Sequence, residues 1–164
     1  CGTIIYRETS LPLLVSDATV TIFGSGGLNT VSFQSLFQGR IQLSAGEFIV
    51  QLHVPKWALY APHFHVKRTT NEKIDYPLVS MAAIWQNNDL RIAFSGICSS
   101  PFRSLQIEAV LNDLSLSCAG RAEKAVQLLP EPAYSGVEGS GKYRIFVLQN
   151  MLQALLEDSV NGQI

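Results

Sequence analysis

Three observations predict an α+β fold. Two long apolar runs, 75–85 and 90–98, flank the polar tetrapeptide Gln86-Asn87-Asn88-Asp89 and read as a hairpin of largely buried strands. Downstream, apolar residues recur at helical spacing between Phe102 and Leu156. Upstream, the runs 18–23, 48–55 and 63–68 have the two-residue rhythm of half-buried strands.

The bulk properties bound the class. A chain of 164 residues can bury a substantial core as one domain or two small ones. With 15% charged residues, 47% apolar residues and a net charge of −1, nothing in the electrostatics favours nucleic acid or an anionic membrane. No apolar run is long enough to span a bilayer and no signal peptide opens the chain, so a cytoplasmic protein is expected. Cys1, Cys98 and Cys118 are odd in number and in no ligand spacing, against both a disulfide framework and a zinc site. The opening Cys1-Gly2-Thr3-Ile4-Ile5 reads as the start of a fragment.

Taken in order, Leu11-Pro12-Leu13-Leu14-Val15 predicts a short helix from about Ser10, because proline fits a first helical turn. Residues 18–23 form a strand, Gly24-Ser25-Gly26-Gly27 a turn, 30–32 a second strand and Phe33–Phe37 a short helix ending at Gly39. Residues 48–55 are a strand closed by Pro55, Lys56–Pro62 leaves that sheet, and 63–68 is another strand. After the hairpin, Ser99-Ser100-Pro101 is expected to start a helix with Glu108 on its outer side. Ser117 caps a second helix that stops at Pro130. The last helix runs from Ser140 to about Leu156, with Tyr143, Phe146, Val147, Met151 and Leu155 expected on its core face and fraying from Asp158.

Chemistry-bearing residues are sparse. The turn at 24–27 lacks a Gly-Lys-Ser/Thr sequence and leads into a strand, so it reads as a hairpin turn and not a phosphate loop. His63 and His65 share a strand face without an evident third ligand, and read as an exposed polar face. Lys67, Arg68 and Lys73 form a basic cluster, read as solvated. No G-x-S-x-G elbow occurs, and Cys98 at the end of an apolar strand reads as buried, so a stand-alone hydrolase is disfavoured.

The order of motifs carries further information. Asp75-Tyr76-Pro77-Leu78-Val79-Ser80-Met81-Ala82-Ala83, Arg91-Ile92-Ala93-Phe94-Ser95-Gly96, Ser100-Pro101-Phe102-Arg103, Glu108-Ala109-Val110-Leu111 and Ser140-Gly141-Lys142-Tyr143-Arg144 succeed one another at spacings that resemble one family. It is the FAD-binding (medium) subunit of molybdenum hydroxylases of the xanthine dehydrogenase and carbon monoxide dehydrogenase type. The resemblance implies that residues 1–56 are the end of a flavin-binding α+β domain. Residues 57–164 would be the C-terminal domain, a roughly three-stranded antiparallel sheet packed against helices.

It also implies a task. Electrons from a molybdopterin subunit would pass through an iron–sulfur subunit to FAD, and on to NAD or another acceptor. The alternative is a non-enzymatic assembly module that keeps the fold without FAD. By the same resemblance, Lys67 faces the flavin ring, Ile49 packs on the cofactor, and Thr9 stands where the family usually has Asp. Gly2 and Thr3 approach the cofactor, and Asp75 is an acidic position before the strand. The family's pyrophosphate loop has no counterpart in this sequence, so FAD would be held mainly by a part N-terminal to it.

Overall fold

The computed structural model describes residues 8–37, 40–69 and 77–162. A short helix, α1 (Ser10–Val15), leads into the hairpin β1 (Thr19–Gly24) and β2 (Gly27–Ser32). Ser32 then caps α2 (Phe33–Leu36) by accepting a hydrogen bond from the Ser35 amide at 3.0 Å. β3 (Phe48–His53) joins the open side of β1, giving a three-stranded antiparallel sheet in the order β2-β1-β3. Val20 and Ile22 are its buried pegs, as the alternation of residues 18–23 requires.

The second sheet is built around the hairpin. α3 (Lys56–Tyr60) precedes β4 (His63–Thr69), β5 (Pro77–Gln86), β6 (Asp89–Ser95) and β7 (Phe102–Arg103), which lie in the order β4-β5-β6-β7. Gln86 pairs with Asp89, so the connection is the two residues Asn87 and Asn88, with φ of 54° and 70°. A two-residue hairpin loop demands this left-handed conformation, and asparagine tolerates it better than most side chains. α4 (Leu105–Leu111), α5 (Cys118–Gln127) and α6 (Gly141–Val160) complete the chain, capped by Ser104, Ser117 and Ser140 respectively.

The four-stranded sheet is covered on both faces. Val79, Met81 and Ala83 of β5 with Ile92 and Phe94 of β6 meet Ile107, Ala122, Leu148 and Leu152 of the helical layer. The alternate residues Ala82, Ile84 and Ala93 meet Leu11, Leu14 and Val15 of α1 and, beyond them, Val20 and Phe33. Burial on two sides explains why 77–84 reads as an uninterrupted apolar run without alternation. Small residues on the α1 side (Ser80, Ala82, Ala93, Ser95) let a short helix lie close to the strands.

Several sequence expectations change. Phe102 and Arg103 are strand, pairing with Phe94 and Ala93, and add a fourth strand to the sheet; the helix starts only at Leu105. Here Pro101 serves an edge strand, which it can do without giving up a ladder hydrogen bond. Glu108 is buried at 7% exposure and not on an outer face, while Leu105 is exposed. Lys56–Tyr60 is helical. The core face of α6 is Arg144, Leu148, Met151, Leu152, Leu155 and Leu156, whereas Tyr143 and Phe146 stack on each other in solvent. That helix also continues past Asp158 to Val160.

Two arginines with enclosed side chains, Arg144 and Arg103, tie these layers together. Arg144 of α6, 0% exposed, donates to the Leu78 carbonyl and, at 2.8 Å, to the Gly96 carbonyl, with Glu138 at 3.3 Å. Gly96 has φ of +81°, and a Cβ there would stand 2.6 Å from that same Leu78 oxygen, so only glycine fits this turn. Arg103 binds both carboxylate oxygens of Glu108 at 2.6 and 2.9 Å and Asp17 at 2.9 Å. Burial works against its charge, but the bonds and charges of Glu108 and Asp17 outweigh it and hold the guanidinium above its ordinary value.

Candidate functional site

Among the described residues β4 is the outermost strand of its sheet, and its alternation divides its side chains. Phe64 and Val66 pack toward the helical layer; His63, His65 and Lys67 stand on the opposite face, across from Ile84, Ala82 and Ser80 of β5. That face is the one covered by α1. At its far end three polar groups meet. The Lys67 ammonium lies 3.7 Å from one oxygen of Glu8, and the Ser80 hydroxyl donates to the other. The Glu8 carbonyl in turn accepts from the Leu11 amide at 3.0 Å, so the residue is pinned through backbone and side chain alike.

The surroundings differ in depth. Ser80 is 0% exposed and paired with Ser95, whose buried hydroxyl has no partner among the described residues. Lys67 keeps 40% of its side chain exposed and Glu8 28%. A pair this open contributes about 0.2–1 kcal/mol to stability, so its consequence is placement of the amine.

The predicted site residues are distributed as follows. Thr9 directly follows Glu8, is exposed, and makes no capping hydrogen bond to α1. Ile49 lies on the other sheet, beside Ile22 on β1, half-buried against the core around α1. Gly2, Thr3 and Asp75 lie outside the described residues, as do Lys73 and Gly39. Glu8 and Ser80 were not found by sequence reasoning. They are 72 positions apart, and no spacing signal connects them.

This donor set has a definite chemistry. The Lys67 ammonium carries three N–H donors, which suit the oxygen and nitrogen acceptors of an electron-poor heterocycle. They fit the ring end of a flavin. The diphosphate end finds no comparable cradle among the described residues, because Ser25-Gly26 joins two strands and does not open a helix. No group of three metal-ligating side chains occurs among the described residues, and His63 and His65 are exposed as expected.

Nucleophilic chemistry is likewise absent from Cys98. Burial, and then the charge of Glu131, push its thiol up to about 12. Native protein treated with iodoacetamide near neutral pH is expected to be alkylated at Cys118 well before Cys98, as peptide mass mapping would report. Equal rates at the two sites would contradict the burial. Because the folded thiol keeps its proton beyond the ordinary value of 9.0, the unfolded chain binds fewer protons there, and this group lowers stability as pH rises from 9.0 toward about 12.

Comparison with solved structures supplies the fold's relatives. Quinoline 2-oxidoreductase from Pseudomonas putida 86 contains a chain that superposes with a TM-score of 0.72 at 22% identity, over 92% of this chain and 55% of that one. The fold is one carried by the molybdenum hydroxylases. It is the α+β fold that the motif order implied. Carbon monoxide dehydrogenase from Hydrogenophaga pseudoflava, in a form lacking the Mo-pyranopterin moiety of its molybdenum cofactor, matches with a TM-score of 0.71 at 19% identity, covering 87% of this chain and 53% of its own. The reconstituted enzyme from Oligotropha carboxidovorans gives 0.67 at 20% identity, again over 87% and 53%. The chain thus spans about half the length of the chains it matches. No protein-family model and no curated protein matches it by sequence. No helix among the described residues is long and apolar enough to cross a membrane.

Proposed function

We propose that this chain is part of the FAD-binding medium subunit of a molybdenum hydroxylase, with residues 1–56 ending the flavin-binding domain and 57–164 forming the C-terminal domain. The observation that carries this reading is Lys67: on a fold shared with such enzymes, the resemblance's flavin-facing lysine stands 40% exposed on the outermost described strand, 3.7 Å from Glu8. FAD, when bound, accepts electrons from iron–sulfur clusters of a partner subunit, fed by a molybdopterin subunit, and delivers them to NAD or another acceptor. The xanthine dehydrogenase type is the branch we favour.

The chain's own residues supply position and charge. Lys67 presents a cation where negative charge would accumulate on a reduced ring, favouring that state by Coulomb attraction. Glu8 fixes the amine and tempers its charge. Thr9, next to Glu8 in the chain and exposed, supplies an uncharged hydrogen-bonding group where the resemblance has an acid. Ile49 contributes apolar surface from the other sheet.

The test uses the protein isolated together with its partner subunits. It is expected to show the visible absorption of oxidised flavin, bleached on reduction. Lys67→Met is expected to make the flavin two-electron potential more negative by about 30 mV, read by spectroelectrochemical titration. A colourless assembly would sink the reading and leave the alternative, a module that retains the fold for assembly. An unchanged potential in the variant would instead remove Lys67 from the ring.

A further inference from the structure

A groove separate from the Lys67 end runs along the same face of β4. It encloses about 430 Å³ between α1, α3 and strands β4 and β5. Leu13 and Ala58 form its walls, and Ala82 and Ile84 its floor. Its titratable lining consists, among the described residues, of His63 and His65 alone. Ser16, the other polar side chain there, already donates to the Pro12 carbonyl at 2.6 Å. Lys67 is the next residue on this strand face and is paired with Glu8, so its charge is already engaged.

This volume is in the range of sites for small organic ligands, and an apolar body with few convergent polar groups is their usual form. The two imidazoles add a specific requirement. His63 Nδ1 lies 3.3 Å from the Ala61 carbonyl, which favours Nδ1–H donating to that oxygen and leaves Nε2 as the ring's second hydrogen-bonding atom. Two imidazoles without a third ligand make a poor metal centre, whereas both, when protonated, donate to a carboxylate. We propose that this groove binds a small aromatic carboxylate, its ring against Ala82 and Ile84 and its carboxylate at His63 and His65. The proposal does not depend on the cofactor reading.

Fluorescence titration of the whole chain with 2-naphthoate and, in parallel, neutral 2-naphthylmethanol tests it. The acid is expected to bind in a 1:1 complex about fivefold tighter than the alcohol, because only its carboxylate is a charged acceptor for the two imidazoles. His63→Ala with His65→Ala, both exposed positions, is expected to abolish the acid's advantage while sparing the alcohol; Ala58→Phe, which fills the groove, is expected to abolish binding of both. Absence of saturable binding, an unchanged advantage of the acid in the double variant, or acid binding that appears only with added Zn²⁺ would each overturn the proposal.

Discussion

Replacing Arg144 by methionine is expected to lower the unfolding free energy by about 3–5 kcal/mol, the scale seen when one partner of a buried charged interaction is removed. The last paired residues of β5 and β6 at this end are Ser80 and Ser95, so the carbonyls of Leu78 and Gly96 lie beyond the ladder. Arg144, reaching in from α6, takes the place of the missing strand partners. Methionine would fill the space and leave two enclosed acceptors and Glu138 without it. Arg144→Lys is expected to recover only part of the loss, because an ammonium lacks the planar fork that spans two carbonyls. Urea denaturation of the three proteins gives the comparison, and a loss below about 1 kcal/mol for the methionine variant would show the carbonyls find water instead.

Glu108→Ala is expected to be of similar severity, about 3–5 kcal/mol. The carboxylate accepts from the Ile92 amide at 2.9 Å and from Arg103, and both side chains of that pair are less than a tenth exposed. Alanine would leave the Arg103 guanidinium only Asp17 and the Leu14 carbonyl, and an inner-strand N–H without its acceptor. Arg103→Met combined with Glu108→Leu is expected to be milder than Glu108→Ala, since the buried carboxylate and its main cation then leave together. A double variant worse than the single one would mean that the pair itself, and not its severance, is what the fold depends on. Added salt is expected to change the wild-type contribution little, as burial keeps counterions away.

These two interactions also mark the limits of sequence reading. The β5–β6 hairpin was legible because an apolar run on both sides of a polar turn has few other solutions. The cap Ser117 was legible because a capping hydroxyl acts on an amide three residues away. The face of α6 was legible only in part: Met151 and Leu155 are buried as expected, but hydrophobic periodicity assigns an arginine to solvent, and here Arg144 lies in the buried stripe. Glu108 was misplaced for the same reason: its burial depends on Arg103 folding back from a two-residue strand that carries no pattern of its own. At the candidate site, Lys67 and Thr9 came from motif order, while the Glu8 carboxylate beside Lys67 could only be found once β4 and the start of α1 were side by side.

The position of β4 at the rim of its sheet has another consequence. An outermost strand offers a row of unpaired amides and carbonyls to any other extended segment, and proteins guard such rows with charge. Lys67 and Arg68, adjacent on β4 and projecting to opposite faces, put a cation on each side of that row. A stray strand attempting to extend the sheet there would have to dehydrate one of them. Lys67 would thus also act as a gatekeeper against edge-to-edge aggregation.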